Sequence, residues 1–258
     1  MPDWTHFLSA MTLALVRVSS MMVFAPFFAS SALPLRAKGV FAGAVALLLA
    51  PLVAALPNAR ATLSFSALLG ELAVGLVYGL SLTLLSEMLL FAGQIAGLQF
   101  SFSLVNLLDP GSTIQTPLLG DLFQMLGVLV LLGAGLDRVL LASVVRSFRV
   151  APLGEFAFAQ PSALAIFRSA SGVFLAAIEL AAPVLAATML VEIAVALLGK
   201  LSPQFPVISL TVPLKTVTGF VALIGSLALW PRFIEARFAS LLDVAERLIA
   251  APGAGLGG

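Results

Sequence analysis

The stretch that decides the fold is ALLGELAVGLVYGLSLTLLSEMLLFAGQIAGLQFSFSLVNLL, residues 67–108. It contains only two charged residues, Glu71 and Glu87. Because about 20 consecutive apolar residues are enough for a helix to cross the hydrocarbon core of a bilayer, this stretch predicts an unusually long membrane-embedded helix. The pattern fits one very long helix or a kinked pair of helices, and it does not choose between them.

The rest of the chain is similarly apolar. Of its 258 residues 61% are hydrophobic and 10% are charged, whereas a soluble domain is about half apolar and about a quarter charged. A globule of this size has too little interior to hide so much apolar surface. The sequence therefore predicts an all-α integral membrane protein of long helices and helical hairpins that need neighbours. The other apolar segments are residues 7–28, 39–56, 118–145, 169–198 and 207–230.

Several charged residues lie inside these apolar segments, and six of them are candidates for burial. An unpaired charge at membrane depth costs several kcal/mol or more, so such residues are expected to face protein or water rather than lipid. Ion pairs between helices or between subunits would satisfy them. Snorkelling to the membrane surface, or a position in a water-filled gap, satisfies them equally well. The six residues are Arg17, Glu71, Glu87, Glu179, Glu192 and Lys215.

Proline and glycine are placed where they affect helix packing. Broken helices at membrane depth are tolerated only inside protein or beside a cavity, so mid-segment prolines predict breaks that are covered by neighbours. Glycines four residues apart lie on one helix face and allow another backbone to approach closely. The prolines are Pro51, Pro183, Pro203, Pro206 and Pro213, and the glycine pairs are Gly39/Gly43, Gly75/Gly79 and Gly93/Gly97.

The last helical segment, about residues 232–250, has a different pattern. Apolar residues such as Ile234, Phe238 and Leu242 recur at helical spacing, and charged residues take the other positions. This pattern predicts an amphipathic helix that lies along a membrane interface or docks on a partner. Residues 1–251 are expected to form a single membrane-embedded domain, and the glycine-rich residues 252–258 a flexible tail.

One helix face in the middle of the chain is strongly basic. Arg138, Arg146 and Arg149 lie within about a quarter-turn of one another. The positive-inside rule would place this region in the cytoplasm. Other cations do not all fall on that side by counting spans, so the topology stays open.

Several function classes lack support in the sequence. Without cysteine there is no disulfide or thiolate chemistry, and the single histidine, His6, has no accompanying ligand cluster. The near-neutral charge gives no nucleic-acid footprint. Hydrolase and nucleotide-binding motifs are missing, so no catalytic residue, cofactor or metal site is predicted. A secondary transporter of small solutes is the competing class, but the two halves of the chain show no convincing repeat.

Motifs along most of the chain resemble the FliR family of flagellar type III export-gate proteins. They include GLQFSFS at residues 97–103, DPGS at 109–112, the LVRV segment around Arg17, SPQ at 202–204 and VPLK at 212–215. The virulence-type relatives, the SctT group of injectisomes, share the fold. The DPGS and SPQ motifs are more similar to those of the flagellar branch. Two departures are Asp137, where many members have histidine, and Phe102, where glycine is frequent.

The resemblance implies a structural and gating subunit, without enzymatic turnover, at the flagellar basal body in the bacterial inner membrane. It would assemble with FliP-like and FliQ-like subunits and an FlhB-like switch component, and would pass unfolded flagellar proteins. A plug-like loop is expected at about residues 101–116, although an ordinary connection is the alternative. Its gating residues would be Gln99, Phe100, Ser101, Phe102, Ser103, Asn106, Asp109, Pro110 and Gly111. A cytoplasmic-entrance loop, alternatively a simple proline-rich turn, would contain Lys200, Ser202, Pro203 and Gln204.

Overall fold

A computed structural model of the chain describes residues 4–24, 34–56, 62–100, 118–154, 163–202 and 207–249. These residues form helices and short connections, with no strand among them, so the predicted all-α class is confirmed. A single turn of 3₁₀ helix, Leu227–Leu229, separates the last two helices. The helices are α1 Trp4–Phe24, α2 Leu35–Ala54, α3 Phe65–Gln99, α4 Leu118–Gly133, α5 Leu136–Val150, α6 Ala163–Leu201, α7 Val207–Ser226 and α8 Trp230–Ile249.

Residues 67–99 of the stretch quoted at the start lie in one helix, not in a kinked pair. Helix α3 has 35 residues, which gives a length of about 52 Å at 1.5 Å per residue. Its start is capped by Ser64, whose side-chain oxygen accepts a hydrogen bond from the amide of Ala67 at 3.1 Å. A helix longer than the roughly 30 Å hydrocarbon core extends beyond a simple span.

Five helical stretches are long and apolar enough to cross a membrane, so the described residues agree with the prediction of a membrane protein. Their sequences are rich in Leu, Ala and Val and contain few charges, which is the composition that a helix in lipid or in a protein interior requires. The five are Trp4–Phe24, Leu35–Ala54, Phe65–Gln99, Ser171–Leu201 and Ser209–Ile249.

Three of the mid-segment prolines do not break their helices. Pro51, Pro183 and Pro213 lie inside α2, α6 and α7, which continue on both sides. A proline removes one backbone hydrogen bond, and neighbouring groups in a packed membrane helix compensate for that loss. Breaks were expected at these positions, and the helices run through them instead. Pro203 and Pro206 lie outside the described residues.

The chain forms two compact units, and several helices contribute to both. The prediction of one domain over residues 1–251 is not tested by this division, because the unit boundaries fall within helices. The first unit is Met1–Leu85, Gly135–Ala170 and Ala236–Gly258, and the second is Ser86–Ala134 and Ser171–Glu235.

In the first unit, α1 packs closely on the first half of α3. A Cβ atom at Gly75 would lie 2.5 Å from the carbonyl oxygen of Arg17, and one at Gly79 would lie 2.9 Å from the Cβ of Phe24. Both distances are too short, so glycine is required for this contact. Gly39 and Gly43, in contrast, have no described atom within 4 Å of a Cβ added at either position.

The second unit contains a tight helical hairpin made by the second half of α3 and by α4. A Cβ at Gly93 would lie 2.7 Å from the Cα of Gly120, so the two backbones nearly touch. The side chain of Gln124 in α4 donates a hydrogen bond to the hydroxyl of Ser86 in α3. On α4, the ring of Phe123 packs at 5.0 Å from that of Trp230, and both residues are buried.

The amphipathic last helix is α8, and its apolar face is already covered. Phe238, Leu242, Ala245 and Ile249 are buried within the chain. Docking of α8 on a membrane interface or on a partner therefore stays a prediction, and the buried stripe does not by itself require it. An amphipathic helix buries its apolar stripe against whatever apolar surface is within reach, and here this chain supplies it.

Candidate functional site

A buried arginine forms the centre of the first unit. Arg17 lies in α1 and is only 1% exposed. Its guanidinium lies 4.1 Å from the centre of the Phe148 ring in α5, a cation–π contact. Because arginine stays charged in proteins, its burial requires both an opposite charge and acceptors for its N–H groups.

The surroundings of Arg17 supply these groups. Its Nε lies 2.5 Å from Oε2 of Glu71, which is completely buried. Nη1 donates to the hydroxyl of Ser147 at 3.3 Å, and Nη2 donates to the carbonyl of Ala151 at 2.9 Å. The second carboxylate oxygen of Glu71 accepts a hydrogen bond from the backbone N–H of Gly154 at 3.1 Å. Gly154 has φ +73°, a left-handed conformation that glycine adopts without strain.

We call Arg17, Glu71, Ser147, Ala151 and Gly154 the arginine clamp. The clamp joins α1, α3, α5 and the turn that follows α5, which are far apart in sequence. Groups of three or more His, Cys, Asp or Glu residues that could hold a metal ion do not occur among the described residues. The chemistry of the clamp is that of charge-assisted hydrogen bonds that fix three helices and a turn together.

In the second unit, the end of α3 is anchored on α7. Phe100 is 1% exposed, and its ring stacks on that of Phe220 at 4.8 Å. A side chain at Gly219 would overlap this ring, so glycine makes the space that it occupies. The hydroxyl of Thr216 lies 3.4 Å from the carbonyl oxygen of Phe100, as well as bonding within its own helix. Gln99, beside Phe100, is half-buried.

Next to this contact, Lys215 of α7 pairs with Glu192 of α6. The Nζ of Lys215 donates to Oε1 of Glu192. The lysine side chain is 8% exposed and the glutamate side chain is 49% exposed, so the pair is buried at one end only. It joins α6 and α7 close to Pro213.

The other predicted residues are more scattered. Glu87, Glu179 and Glu192 are exposed on this chain, so within it they are not buried charges as Arg17, Glu71 and Lys215 are. Glu192 still reaches Lys215 of its own chain. Contact of these residues with another subunit stays a prediction.

Most residues of the two predicted loops lie outside the part of the chain that the structure describes. In the entrance loop, Lys200 and Ser202 are exposed at the end of α6. The predicted loop residues outside the described part of the chain are Ser101, Phe102, Ser103, Asn106, Asp109, Pro110, Gly111, Pro203 and Gln204.

Comparison with known proteins decides the family. The family described as "Bacterial export proteins, family 1" matches residues 8–241. The chain belongs to this family. The matched region contains the arginine clamp and the contacts of Phe100 and Lys215, so the resemblance inferred from short motifs is confirmed along most of the chain.

Relatives in the export family match over similar lengths. The chain is 27% identical over 236 residues to the "Flagellar biosynthetic protein FliR" of Caulobacter vibrioides, covering 90% of this chain and 94% of the relative. It is 25% identical over 251 residues to the protein of the same name from Escherichia coli, covering 96% and 95%. The "Yop proteins translocation protein T" of Yersinia pestis is 28% identical over 156 residues, 60% of each chain.

Sequence reasoning found the charged members of these sites but not their polar partners. Ser147, Phe148 and Gly154 had not been predicted, because serine and phenylalanine occur throughout apolar helices without any such role. Gly154 follows a helix, which is a signal for a turn but not for a carboxylate contact. Thr216 and Gly219 likewise gave no signal for the anchoring of Phe100.

The clamp predicts a strong coupling between its two charges. Arg17→Met or Glu71→Leu alone leaves a buried unpaired charge and is expected to cost about 3–5 kcal/mol of stability. The double variant removes both charges and should lose less than the sum of the two. Thermal unfolding of the purified protein in detergent measures this, and additive losses would show that the pair does not act as a unit.

The Lys215–Glu192 pair predicts an asymmetry between two substitutions. Lys215→Leu removes a buried cation and leaves Glu192 able to reach water, so the chain should accumulate in membranes at close to the normal level. Lys215→Glu places a second carboxylate beside Glu192 in a buried position and should cost about 3–5 kcal/mol. Immunoblots of membrane fractions measure the levels, with Lys200→Glu at an exposed cation as the control. Equal levels of the Leu and Glu variants would contradict the pairing.

Proposed function

We propose that this chain is a structural and gating subunit of the flagellar type III protein-export channel. It assembles with FliP-like and FliQ-like subunits in the bacterial inner membrane at the flagellar basal body, and unfolded flagellar proteins pass through the assembly. The observation that supports this most strongly is the length of the match. Two flagellar relatives are covered over 94% and 95% of their length.

The surface of the chain is consistent with a subunit that needs neighbours. In α7, Val217, Val221 and Ile224 are 63%, 65% and 66% exposed. A stripe of large apolar side chains on a helix is stable only against lipid or another protein. The exposed carboxylate of Glu87 lies on another long apolar helix, α3, and lipid cannot satisfy it. Protein neighbours therefore account for these surfaces better than lipid alone.

For gating we retain the plug proposed from the sequence, residues 101–116. A pore that admits an unfolded polypeptide would leak ions unless a movable segment closed it. The support within the described residues is the anchoring of Phe100, which fixes the position at which such a segment begins.

The entrance loop around Lys200 and Ser202 is the proposed contact for an FlhB-like component. Both residues are exposed at the end of α6, where a partner can reach them.

An injectisome subunit is the second candidate, because the Yersinia relative matches 60% of the chain. The flagellar assignment has the longer matches and predicts a distinct phenotype. Deletion of the gene in its own bacterium should abolish swimming and the secretion of hook and filament proteins, and the wild-type gene should restore both. Normal swimming together with loss of secreted virulence effectors would instead assign the chain to an injectisome.

The plug predicts a leak when it is shortened. Deletion of residues 104–107 should raise the permeability of the inner membrane to ions and small solutes while the assembly still forms, because the barrier but not the scaffold is altered. Solute uptake is compared with wild type in cells that contain equal amounts of the complex. Unchanged permeability in an assembled mutant would make the loop a simple connection.

A further inference from the structure

The outer face of α5 is both basic and exposed. Arg138, Ala142 and Arg149 lie along one line on this helix, within about 40° of one another, and all three are exposed. The two arginines are eleven residues apart, which is about 16 Å along the helix axis. Val139 and Leu141, each 43% exposed, lie to the two sides of this line. We call these five residues the α5 outer face.

Two other arginines of the first unit are already paired, and the arginines of the α5 outer face are not. Arg146 pairs with Glu246 of α8 at 3.1 Å. Arg247 pairs with Asp243 one turn away at 2.8 Å. For Arg138 and Arg149, no carboxylate lies within ion-pair distance among the residues that the structure describes. Within the described part of the chain, the two cations that share this exposed face therefore have no carboxylate partner, and a partner outside the chain can supply one.

The position of Arg149 along the membrane helices indicates which kind of group binds these arginines. On the inner face of α5 and in the turn after it, Ser147 and Ala151 bind Arg17 of α1. Arg17 is seven residues, or about 10 Å, from the end of α1, whose 21 residues match the thickness of the hydrocarbon core. Arg149 lies between these two contacts in sequence, on the outer face. Its side chain therefore starts at hydrocarbon depth if α1 spans the bilayer.

Lipid phosphates are a poor match for this arrangement, because they lie in the headgroup layer rather than at hydrocarbon depth. A protein carboxylate can be held at any depth by a helix. Arginine is also enriched at protein–protein interfaces.

We propose that the α5 outer face is a docking surface for a partner polypeptide of the export assembly, one that presents carboxylates to Arg138 and Arg149. The two acceptors would be spaced by about three helical turns, and apolar side chains between them would pack on Ala142 and Leu141. This inference rests on the proposed function, because it takes the chain to work within an assembly.

Site-specific photo-cross-linking in the native bacterium tests the docking surface. With p-benzoylphenylalanine at position 142, the chain should cross-link to one polypeptide in intact membranes. Arg149→Glu should lower the cross-link yield by at least about fivefold, and Arg149→Lys should lower it less because the charge remains. Arg247→Glu is the matched control, since its partner Asp243 belongs to the same chain. Replacement of the facing carboxylate of the cross-linked polypeptide by arginine should restore the yield in Arg149→Glu cells.

Three results would overturn the docking surface. The first is a cross-link to phospholipid alone, or to no polypeptide, in cells that swim normally. The second is an unchanged cross-link in Arg149→Glu. The third is loss of the Arg149→Glu chain from membranes even when the other export components are absent and Arg149→Lys persists, which would assign Arg149 to the folding of the chain. Failure of the proposed function is distinguishable, because deletion of the gene would then leave swimming intact.

Discussion

A guanidinium in an apolar interior must keep its positive charge and satisfy its N–H groups without water. In the first unit this constraint determines which segments meet. Arg17 takes a carboxylate from α3, a hydroxyl from α5 and a carbonyl from the turn after α5, and the carboxylate in turn binds the amide of Gly154. Close approach of α1 to α3 depends on Gly75, where no side chain fits. The buried ion pair and the position of Gly75 thus together determine how α1 packs on α3.

The clamp bears on function through the surfaces that it fixes. By holding the inner face of α5, it determines where the outer face of that helix lies on the chain. In the second unit, Gly219 and the stacking of Phe100 on Phe220 hold the end of α3 in place, just as the clamp holds α5 in the first unit. A subunit of an export channel has to present helix faces to several neighbours, and the plug proposed here would need a fixed starting point. Rigid internal contacts beside exposed apolar faces meet both needs.

The sequence was enough to predict the all-α membrane class and the burial of some charges, because these follow from hydrophobic run length and from the cost of a charge in lipid. It could not pair Arg17 with Glu71, 54 residues away, since several charges were available to each partner. The breaks expected at Pro51, Pro183 and Pro213 do not occur, because neighbouring groups compensate for the lost backbone hydrogen bond. The burial of the α8 stripe within this chain could not be predicted, because a hydrophobic stripe does not specify which surface will cover it.

The central claim is that the Glu71 carboxylate holds the end of α5 and its turn onto α1 and α3. Hydrogen exchange of residues 143–154, measured by mass spectrometry on the purified protein, tests it most directly. Glu71→Gln should speed exchange in this segment by at least about tenfold, because the Gly154 amide loses a charged acceptor and Arg17 loses its counter-ion. Exchange in α7, which belongs to the second unit, should stay within about twofold of wild type. Equal exchange of residues 143–154 in both proteins would contradict the account.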